Sequence, residues 1–383
     1  MSSPHLAVIG GGQLARMMQQ AAIGLGIRIR LLAEGDDASA AQVIADKIVG
    51  DYTDLDILRE VVADCPVVTF DHEHVPPAHL QTLEAEGHAC RPGPAALVYA
   101  QDKGLMRTKL ATLGVPQPDF SLFDPVVDPN GVQNFADRVG GYPFVLKTTR
   151  GGYDGKGVWF IYKESDAAAA LASGRILLAE AKVPFVRELS ALVARSASGE
   201  VAAYPIAESV QKDGMCHEVV APASDLDPAL AKEAQQLAIN IAEQLGVTGI
   251  LAVELFETPD RRIVVNELAM RPHNTGHWSI DGAVTSQFEN HLRAVLGMPL
   301  GSTSPHRSWA VMVNILGGVV DDLESRRALV MAQDCEVKIH LYGKNVKPGR
   351  KVGHVTVCGD DFDDVVARAR RAARLFVEGD THE

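Results

Sequence analysis

The sequence feature that most constrains the fold is a glycine-rich segment, residues 151–157, between two short strand-like runs. The runs are Phe144 to Thr148 and Val158 to Tyr162. A P-loop is excluded, because that motif has four residues between its first glycine and its Gly-Lys pair, followed by Ser or Thr and a helix. Here three residues intervene, Gly157 follows Lys156, and a strand comes next. We therefore predict an antiparallel hairpin with a glycine-rich connection.

The composition of this connection suggests what it does. Four glycines in seven residues lose much conformational entropy on ordering, which favours a mobile lid over a rigid turn. Its backbone N–H groups can close over phosphate groups, and Lys147 on the preceding strand can supply a positive charge to phosphate oxygens. The alternative interpretation of Lys147 is a solvated strand lysine.

The first hundred residues alternate short apolar runs with amphipathic patterns. This alternation is typical of a parallel, doubly wound sheet. A domain boundary is predicted near Arg91-Pro92-Gly93-Pro94. The predicted strands are Leu6 to Ile9, Ile27 to Ala33, Ile48 to Val49 and Val67 to Phe70, and the predicted helices are Gln13 to Leu25, Leu55 to Ala63 and Pro77 to Ala85.

The remainder of the chain is rich in strand-like segments with glycine turns. A long helix is predicted from Pro228 to Leu245, because Asp227 is a favoured N-cap and proline is favoured at the first helical position. The last region begins near Ser302. It contains the strand-like runs Trp309 to Ile315 and Glu336 to Leu341 and a closing helix from Phe362 to Phe376. The fold class is therefore mixed, α/β at the N-terminus and α+β beyond it.

A first glycine-rich loop, Gly10-Gly11-Gly12-Gln13-Leu14-Ala15, follows a strand and opens a helix. With Glu34 about 20 residues on, it satisfies the dinucleotide-binding fingerprint. Taken alone, it indicates a nicotinamide-dependent oxidoreductase, although the same physics would serve any phosphate at a helix N-terminus. A tight turn that touches no ligand is the third interpretation.

Two carboxylates are predicted to face each other across a hairpin. Ile250 to Glu257 and Arg262 to Leu268 are strand-like runs, and if Thr258 pairs with Ile263, then Glu254 lies opposite Glu267. Like charges so placed are destabilising unless a cation joins them. Carboxylates together with nucleotide phosphates commonly bind Mg²⁺, and Asn266 adds a possible oxygen ligand. A register slip of one residue would instead send the two acids to opposite faces.

Charged and nitrogen-bearing clusters follow this hairpin. Arg271, His273, Asn274 and His277 come directly after it and suggest a substrate pocket, although a lone histidine would more often be structural. Further on, residues 338–351 hold five cations and no acidic residue. Proline and glycine fix the turn at residues 347–351, where three of these cations can meet a phosphate monoester. The five cations are Lys338, Lys344, Lys347, Arg350 and Lys351.

The overall charge limits the partners. The chain has 383 residues and a formal net charge of −13, whereas binding to nucleic acid depends on clustered Lys and Arg over a basic surface. No nucleic-acid partner is expected, and any anionic ligand must meet a local basic site. The five cysteines are widely spread with no C-x-x-C pair, so we expect buried free thiols and a cytoplasmic location. The first apolar run, Leu6 to Ile9, is too short for a signal peptide or a membrane span, so no membrane attachment is expected.

Taken together, these pieces resemble the ATP-grasp superfamily. More closely, four segments resemble the N5-carboxyaminoimidazole ribonucleotide synthases of purine biosynthesis. The segments are Gly11 to Met17, Gly151 to Gly157, Asn266 to His277 and Pro348 to His354. The resemblance implies an ATP-grasp fold with an N-terminal doubly wound domain at 1–101, an ATP-grasp domain at 102–300 whose lid is at about 117–180, and a small β-rich C-terminal domain at 301–383 that closes the ribonucleotide site.

The resemblance also implies the reaction. ATP would phosphorylate bicarbonate to carboxyphosphate, and the exocyclic amine of 5-aminoimidazole ribonucleotide (AIR) would take the carboxyl group, with release of ADP and phosphate. Such an enzyme is an ATP-dependent carbon-nitrogen ligase, and the resemblance suggests a homodimer.

Site residues carry over from the resemblance by position. Residues implied in catalysis are Tyr153, Arg271, His273 and Asn274. Residues implied to bind ATP are Lys103, Lys147, Gly152, Tyr153, Asp154, Gly155, Lys156, Gly157, Val158, Glu180, Val183, Glu188, Gln211, Asn266 and Glu267. Residues implied to bind the ribonucleotide are Gly11, Gln13, Leu14, Glu73, Asp154, Arg271, Lys344, Arg350 and Lys351. Mg²⁺ would be held by Glu254 and Glu267.

Three other functions stay open at this point. An oxidoreductase explains only the first glycine-rich loop and gives no role to the second loop or to the paired glutamates. A catalytically inactive ATP sensor would need a broken metal pair or lid. A related ATP-grasp carboxylase or formyl transferase acting on another amine is the nearest enzymatic alternative.

Overall fold

The computed structural model describes residues 5–152, 157–212, 214–318 and 321–378. The N-terminal region is built on five parallel strands with helices between them. The strands are β1 (His5–Ile9), β2 (Arg28–Ala33), β3 (Lys47–Val49), β4 (Val67–Phe70) and β5 (Ala89–Cys90). The helices are α1 (Gln13–Leu25), α2 (Leu55–Val62), α3 (Pro77–Ala85) and α4 (Pro94–Gln101).

The spatial order of these strands is β3-β2-β1-β4-β5, which confirms the predicted doubly wound sheet. The chain leaves the central strand β1 in one direction and returns to its other side at β4, so the loops after β1 and β4 meet at the switch point where ligands bind in such sheets. The predicted boundaries in this region lie within one residue of those observed. The short β5 and the helix α4 were not predicted.

A four-stranded antiparallel sheet follows, in the order β6-β9-β7-β8. Its β7 and β8 pair with Lys147 opposite Val158, which confirms the hairpin predicted around the second glycine-rich segment. Helix α5 (Lys103–Thr112) precedes this sheet, and a 3₁₀ turn, Glu164–Ala167, precedes its second helix. The elements of the sheet are β6 (Phe120–Phe123), α6 (Gly131–Val139), β7 (Phe144–Thr148), β8 (Val158–Ile161), α7 (Ala168–Leu171) and β9 (Leu177–Ala181).

A nine-stranded sheet joins the middle and the end of the chain. Its elements are β10 (Arg187–Arg195), β11 (Val201–Ala203), β12 (Ala207–Lys212), β13 (Met215–Ala221), α8 (Pro228–Gln244), β14 (Gly249–Glu257), β15 (Ile263–Ala269), α9 (Ser279–Gly282), α10 (Gln287–Val295), β16 (Trp309–Leu316), α11 (Leu323–Gln333), β17 (Lys338–Leu341), β18 (Lys351–Gly359) and α12 (Phe362–Val377). The strand order is β15-β14-β10-β12-β13-β16-β18-β17, with β11 paired to β10.

The strands after residue 301 extend this sheet and do not form one of their own. Ala310 on β16 pairs with Ala221 on β13, and the closing helix α12 buries its apolar face against β16 and β18. The C-terminal strands thereby belong to the same sheet as the strands that carry the paired glutamates, with β10, β12 and β13 between them.

All five cysteines are free. Cys65, Cys90 and Cys216 are buried as expected, but Cys335 is exposed, so the expectation of buried thiols was wrong for that residue. Among the helices of the described ranges, none has the length and apolarity needed to cross a membrane.

Candidate active site

The hairpin of β14 and β15 places Glu254 directly opposite Glu267, as predicted. The strand pairing from which this register was predicted was wrong, because Ile263 pairs with Glu257 and not with Thr258. A β-bulge between Glu254 and Leu255 on one side, with Asn266 as the extra residue on the other, shifts the register by one. Without it, Glu254 would face Asn266, and Glu267 would point to the opposite side of the sheet.

The two carboxylates differ in their surroundings. Burial, together with the nearby Glu267 and Glu188, raises the pKa of Glu254 to about 7. Burial also opposes the ionisation of Glu267, but the charges of Lys103 and Lys147 outweigh it and lower the pKa of that carboxyl. The amine of Lys103 contacts the Glu267 carboxylate. The pair therefore holds one firmly ionised acid and one that a further cation would ionise.

The pair fits a divalent cation. Two acids at cross-strand positions repel each other, and a cation between them removes the repulsion. Within the described ranges, no group of three or more His, Cys, Asp or Glu side chains is arranged to hold a metal ion. The remaining ligands of Mg²⁺ would be water and nucleotide phosphate oxygens, which is how this ion is commonly bound.

A network of buried charges lies beside the carboxylate pair. Lys147 Nζ lies 2.7 Å from Glu180 Oε2 and 3.5 Å from Asn266 Oδ1. Arg107 Nε lies 2.5 Å from the other carboxylate oxygen of Glu180. Burial alone would raise the pKa of Glu180, but Lys147 and Arg107 lower it to about 2. Glu180 therefore stays ionised and holds Lys147 beside the glutamate pair.

A cavity of about 480 Å³ lies between the nine-stranded sheet and the four-stranded sheet β6-β9-β7-β8. We call the cavity the nucleotide cavity and the four-stranded sheet the lid sheet, because the lid is predicted there. One part of its wall is apolar and includes Phe185 stacked on Phe256, with ring centroids 4.6 Å apart. Such a wall suits a flat aromatic base. The predicted ATP-binding residues that line it are Lys103, Lys147, Gly152, Val158, Glu180, Val183, Glu188, Gln211, Asn266 and Glu267.

A larger cavity, of about 940 Å³, lies where all three parts of the chain meet; we call it the ribonucleotide cavity. It is lined by the loops after β1 and β4, by the segment after β15 and by residues 342–350 between β17 and β18, which we call the turn before β18. The predicted substrate-binding residues that line it are Gly11, Gln13, Leu14, Glu73, Arg271, Lys344, Arg350 and Lys351. Lys347 is exposed and is not among the lining residues, so the expectation that three cations of this turn converge was wrong for that residue.

Contacts with the N-terminal region fix the turn before β18. Ser39 Oγ donates to the Tyr342 carbonyl at 2.6 Å, and Gln42 Nε2 donates to the Gly343 carbonyl at 2.8 Å. The Lys344 amine contacts the Gln13 amide oxygen. Burial lowers the pKa of Lys344, so an anion that enters here would stabilise its charged form.

The segment after β15 places three predicted catalytic residues in the ribonucleotide cavity. Glu73 Oε2 accepts from Arg271 Nε at 2.7 Å, which fixes the guanidinium while leaving part of its fork available. His273 Nδ1 lies 2.8 Å from Thr275 Oγ1, and its Nε2 lies 3.4 Å from Glu254. Burial, aided by Arg271 and Lys351, lowers the pKa of His273 to about 3, so the ring is neutral near pH 7. Asn274 Nδ2 is buried and has no protein partner among the described residues.

The two cavities share one side. Seven residues line both, and they include the carboxylate pair. These residues are Lys103, Gly152, Glu254, Glu267, His273, Asn274 and Lys351. A phosphoryl group bound between Lys147 and the glutamates would therefore face directly into the ribonucleotide cavity.

Comparisons with known proteins agree with this arrangement. Residues 4–101 match the ribonucleotide synthetase preATP-grasp domain, residues 108–288 the ATP-grasp domain, and residues 310–368 the phosphoribosylaminoimidazole carboxylase C-terminal domain. The N5-carboxyaminoimidazole ribonucleotide synthase of Corynebacterium ammoniagenes is 51% identical over 385 residues, which cover 98% of this chain and 92% of that protein. The chain belongs to the N5-carboxyaminoimidazole ribonucleotide synthase family. The predicted ATP-grasp fold and the predicted class of ATP-dependent ligase are thereby confirmed.

Solved structures of this synthase family are similar over the whole chain. The N5-carboxyaminoimidazole ribonucleotide synthetase from Thermus thermophilus is 38% identical, with a TM-score of 0.87, and the match covers 99% of this chain and 100% of that one. The N5-carboxyaminoimidazole synthase from Aspergillus clavatus, in complex with ADP and 5-aminoimidazole ribonucleotide, is 30% identical, with a TM-score of 0.88 and 98% of each chain covered.

Family membership leaves the first glycine-rich loop to be explained, and the structure shows why it is not a dinucleotide site. The Gly11 N–H donates to Glu34 Oε2 at 3.1 Å. Asp71 packs so closely on Gly12 that a Cβ there would lie 2.3 Å from its Oδ2. Burial raises the pKa of Asp71 to about 6. Carboxylates of the protein thus lie against the glycines that a dinucleotide pyrophosphate would have to approach.

Four predicted residues of the synthase lid, Tyr153, Asp154, Gly155 and Lys156, lie outside the described residues. Gly157 is described and has a φ of +70°, a conformation that favours glycine. A Cβ there would also lie 2.7 Å from Thr148 Oγ1. Gly157 is not among the residues that line the nucleotide cavity.

Sequence reasoning missed several polar residues of the site. Asp71 at the first glycine-rich loop belongs to this group, as do Ser39 and Gln42 at the turn before β18. Arg107 is the most buried of them, with no exposed surface. A signal for Asp71 was its position directly after the strand β4, at the switch point of the sheet, but Arg107 has no motif around it.

Proposed function

We propose that this chain carboxylates the exocyclic amine of 5-aminoimidazole ribonucleotide, with ATP and bicarbonate as co-substrates and ADP and phosphate as products. The observation that carries the proposal is the side shared by the two cavities, with Glu254 and Glu267 at the junction. One substrate that supplies a phosphoryl group and another that supplies an amine can meet at this junction. Family membership and the ADP and ribonucleotide complex of the Aspergillus clavatus relative support the choice of substrates.

In the first step, an oxygen of bicarbonate attacks the γ-phosphorus of ATP, the bond to the bridging oxygen breaks, and ADP leaves. Lys147, held by Glu180 at 2.7 Å, and Lys103, held by Glu267, place positive charge where the transferred phosphoryl group gathers negative charge. Most of the catalysis of such a transfer comes from positioning and electrostatic stabilisation. Bound Mg²⁺ would offset the charge of the phosphates next to Glu254 and Glu267.

In the second step, the amine nitrogen forms a bond to the carbonyl carbon of carboxyphosphate, and the carbon-oxygen bond to phosphate breaks. The amine proton leaves with the phosphate, so atoms and charge balance. Arg271, fixed by Glu73 at 2.7 Å, offers the free part of its fork to the carboxyl oxygens. His273 is neutral and can orient the amine through a hydrogen bond. Asn274 Nδ2, without a protein partner among the described residues, supplies one more donor.

The ribonucleotide phosphate would bind at the turn before β18. Lys344, Arg350 and Lys351 line the ribonucleotide cavity there, and Gly11, Gln13 and Leu14 lie across from them. In this division, residues 1–101 and 301–383 bind the ribonucleotide together with Arg271, and the rest of residues 102–300 binds ATP and closes over it with the lid.

We also propose a cytoplasmic homodimer. The free thiols of Cys65, Cys90 and Cys216 are consistent with a reducing compartment. The dimer rests on family resemblance, and light scattering coupled to size-exclusion chromatography tests it: a mass of one chain at micromolar concentration contradicts it.

The test of the reaction is ADP release with AIR and bicarbonate added separately and together. We expect full turnover only when both are present. In a matched reaction, glycinamide ribonucleotide and formate replace AIR and bicarbonate. In a separate binding titration, NADH replaces ATP. Full activity with the first pair would indicate a formyl transferase. Tight NADH binding without ATP binding would indicate an oxidoreductase.

A further inference from the structure

Arg107 on α5 is a fully buried arginine outside the predicted site, with no exposed surface. Its guanidinium makes three contacts to two other elements. Nε donates to Glu180 Oε1 at 2.5 Å, one terminal nitrogen donates to the Val265 carbonyl at 3.0 Å, and the other donates to the Asn266 carbonyl at 2.7 Å. Because a buried guanidinium is costly unless all its partners are present, such a contact set needs a specific explanation.

The two carbonyls that Arg107 binds belong to the β-bulge of the glutamate hairpin. β15 is the edge strand of the nine-stranded sheet, so backbone groups on its outer side have no neighbouring strand to pair with, and the bulge disrupts the ladder further. Buried carbonyls need a substitute donor. Arg107 supplies it at Val265 and Asn266, and the Val265 N–H donates to the Pro116 carbonyl at 2.8 Å, so the bulge is held from the side of α5.

The bulge decides where Glu267 points. On the turn side of it, Leu255 pairs with Val265; beyond it, Glu254 pairs with Glu267. A continuous ladder would put Glu267 on the face opposite to Glu254. Holding the bulge is therefore equivalent to holding the carboxylate pair together.

The third contact of Arg107, to Glu180, links this bulge to Lys147, which we propose faces the transferred phosphoryl group. Glu180 binds Arg107 with one oxygen and Lys147 with the other, at 2.5 and 2.7 Å. Lys147 in turn lies 3.5 Å from Asn266 Oδ1. Arg107, Glu180, Lys147 and Asn266 thus form a closed ring of contacts that joins the lid sheet to the hairpin.

We propose that Arg107 is a positioning residue for phosphoryl transfer, which holds the β-bulge that brings Glu254 and Glu267 to one face and aligns Lys147 through Glu180. Arg107 has no exposed surface and cannot touch the nucleotide, so it acts only through these neighbours. The inference rests on the proposed function in that the aligned groups are the ones that bind ATP and its metal ion.

The test compares Arg107→Lys and Arg107→Met with Arg187→Lys and Arg187→Met. Arg187 is a matched control, because it also bonds acids on neighbouring elements, the buried Glu257 at 2.5 Å and the half-buried Glu208 at 3.3 Å, but lines neither cavity among the described residues. Lysine at position 107 keeps one charge but cannot reach a carboxylate and two carbonyls at once. The lysine variant keeps the test decisive if the methionine variant does not fold.

Two binding measurements by calorimetry separate positioning from general folding. For Arg107→Lys we expect the Kd for MgADP to rise at least tenfold, while the Kd for AIR stays within twofold of the wild-type value. Both Kd values should stay within twofold for Arg187→Lys. An unchanged Kd for MgADP in Arg107→Lys, or equal losses for MgADP and AIR, would overturn the proposal.

Steady-state kinetics add an independent readout. In Arg107→Lys, the Mg²⁺ concentration for half-maximal ADP release should rise at least tenfold and the KM for AIR should not change. If the wild-type chain releases no ADP with AIR and bicarbonate, the proposed function fails, and the MgADP binding comparison still decides the role of Arg107.

Discussion

The nucleotide cavity and the ribonucleotide cavity meet at the same two glutamates but are built differently. The nucleotide cavity, about 480 Å³, lies between two antiparallel sheets and combines an apolar wall with a few buried charges, and all its lining residues except Lys351 come from residues 102–300. The ribonucleotide cavity, about 940 Å³, is assembled from all three parts of the chain, and its basic turn comes from far along the sequence. The shape of the nucleotide cavity depends mainly on strand pairing within the two sheets. The shape of the ribonucleotide cavity depends on how the three parts of the chain pack against each other.

This difference distinguishes residues that bind a single substrate from residues that take part in the reaction. Residues that line only one cavity should affect one substrate, because each cavity has its own charged and apolar groups. Residues on the shared side should affect turnover, because the reacting groups of both substrates would meet there. Three substitutions, from the largest expected effect to the smallest, test this division.

Glu267→Gln should have the largest effect, because it removes the firmly ionised acid from the shared side. We expect kcat to fall roughly 10²- to 10³-fold, the size of loss seen when one preorganised electrostatic partner is removed. Calorimetry should show AIR binding unchanged. Glu208→Gln is the matched control, a half-buried acid of the same sheet bonded to Arg187. Wild-type turnover in Glu267→Gln would refute the role of the carboxylate pair.

Lys344→Ala should affect the ribonucleotide cavity alone. A charge-assisted hydrogen bond to a phosphate contributes about 1.5–3 kcal/mol, so we expect the KM for AIR to rise roughly 10- to 100-fold with the KM for ATP unchanged. Lys347→Ala is the control, since this exposed lysine lies in the same turn but does not line the cavity. An equal rise of both KM values in Lys344→Ala would mean that the two cavities are not independent.

Phe185→Ala should affect the nucleotide cavity alone, and more weakly. Phe185 stacks on Phe256 in the apolar wall, and an aromatic contact between this wall and the base of ATP would contribute about 0.5–1.5 kcal/mol beyond its buried area. We expect the KM for ATP to rise roughly three- to tenfold, with the KM for AIR unchanged. Tyr162→Ala controls for the loss of an exposed aromatic ring near the same lid sheet. A larger effect on AIR than on ATP would reverse the assignment of the cavities.

The sequence allowed the prediction of features that depend on local patterns. Strand and helix alternation predicted the doubly wound sheet, and the glycine-rich loop between two strand-like runs predicted the lid hairpin. The glutamate pair was predicted through an incorrect pairing of Thr258 with Ile263, and the outcome was correct because the bulge at Asn266 compensated for it. A bulge is a packing event at one backbone position, and hydrophobic alternation does not reveal it.

Contacts between distant segments were beyond sequence reasoning. Arg107 meets carbonyls 158 and 159 residues further along the chain, and its surroundings in the sequence form no motif. Within the basic turn, composition could not distinguish Lys344, which enters the ribonucleotide cavity, from Lys347, which does not. That difference depends on how Ser39 and Gln42 dock the turn, which requires the tertiary structure.

The central claim is that bicarbonate and the γ-phosphate of ATP meet at Glu254 and Glu267, where the two cavities join. Its most direct test is the fate of oxygen during turnover with ¹⁸O-labelled bicarbonate and AIR, measured by mass spectrometry of the released phosphate before the label exchanges with water. If a bicarbonate oxygen attacks the γ-phosphorus, each phosphate released should carry one ¹⁸O atom. Release of ADP with unlabelled phosphate would contradict the claim, because the phosphoryl group would then have passed to water and not to bicarbonate.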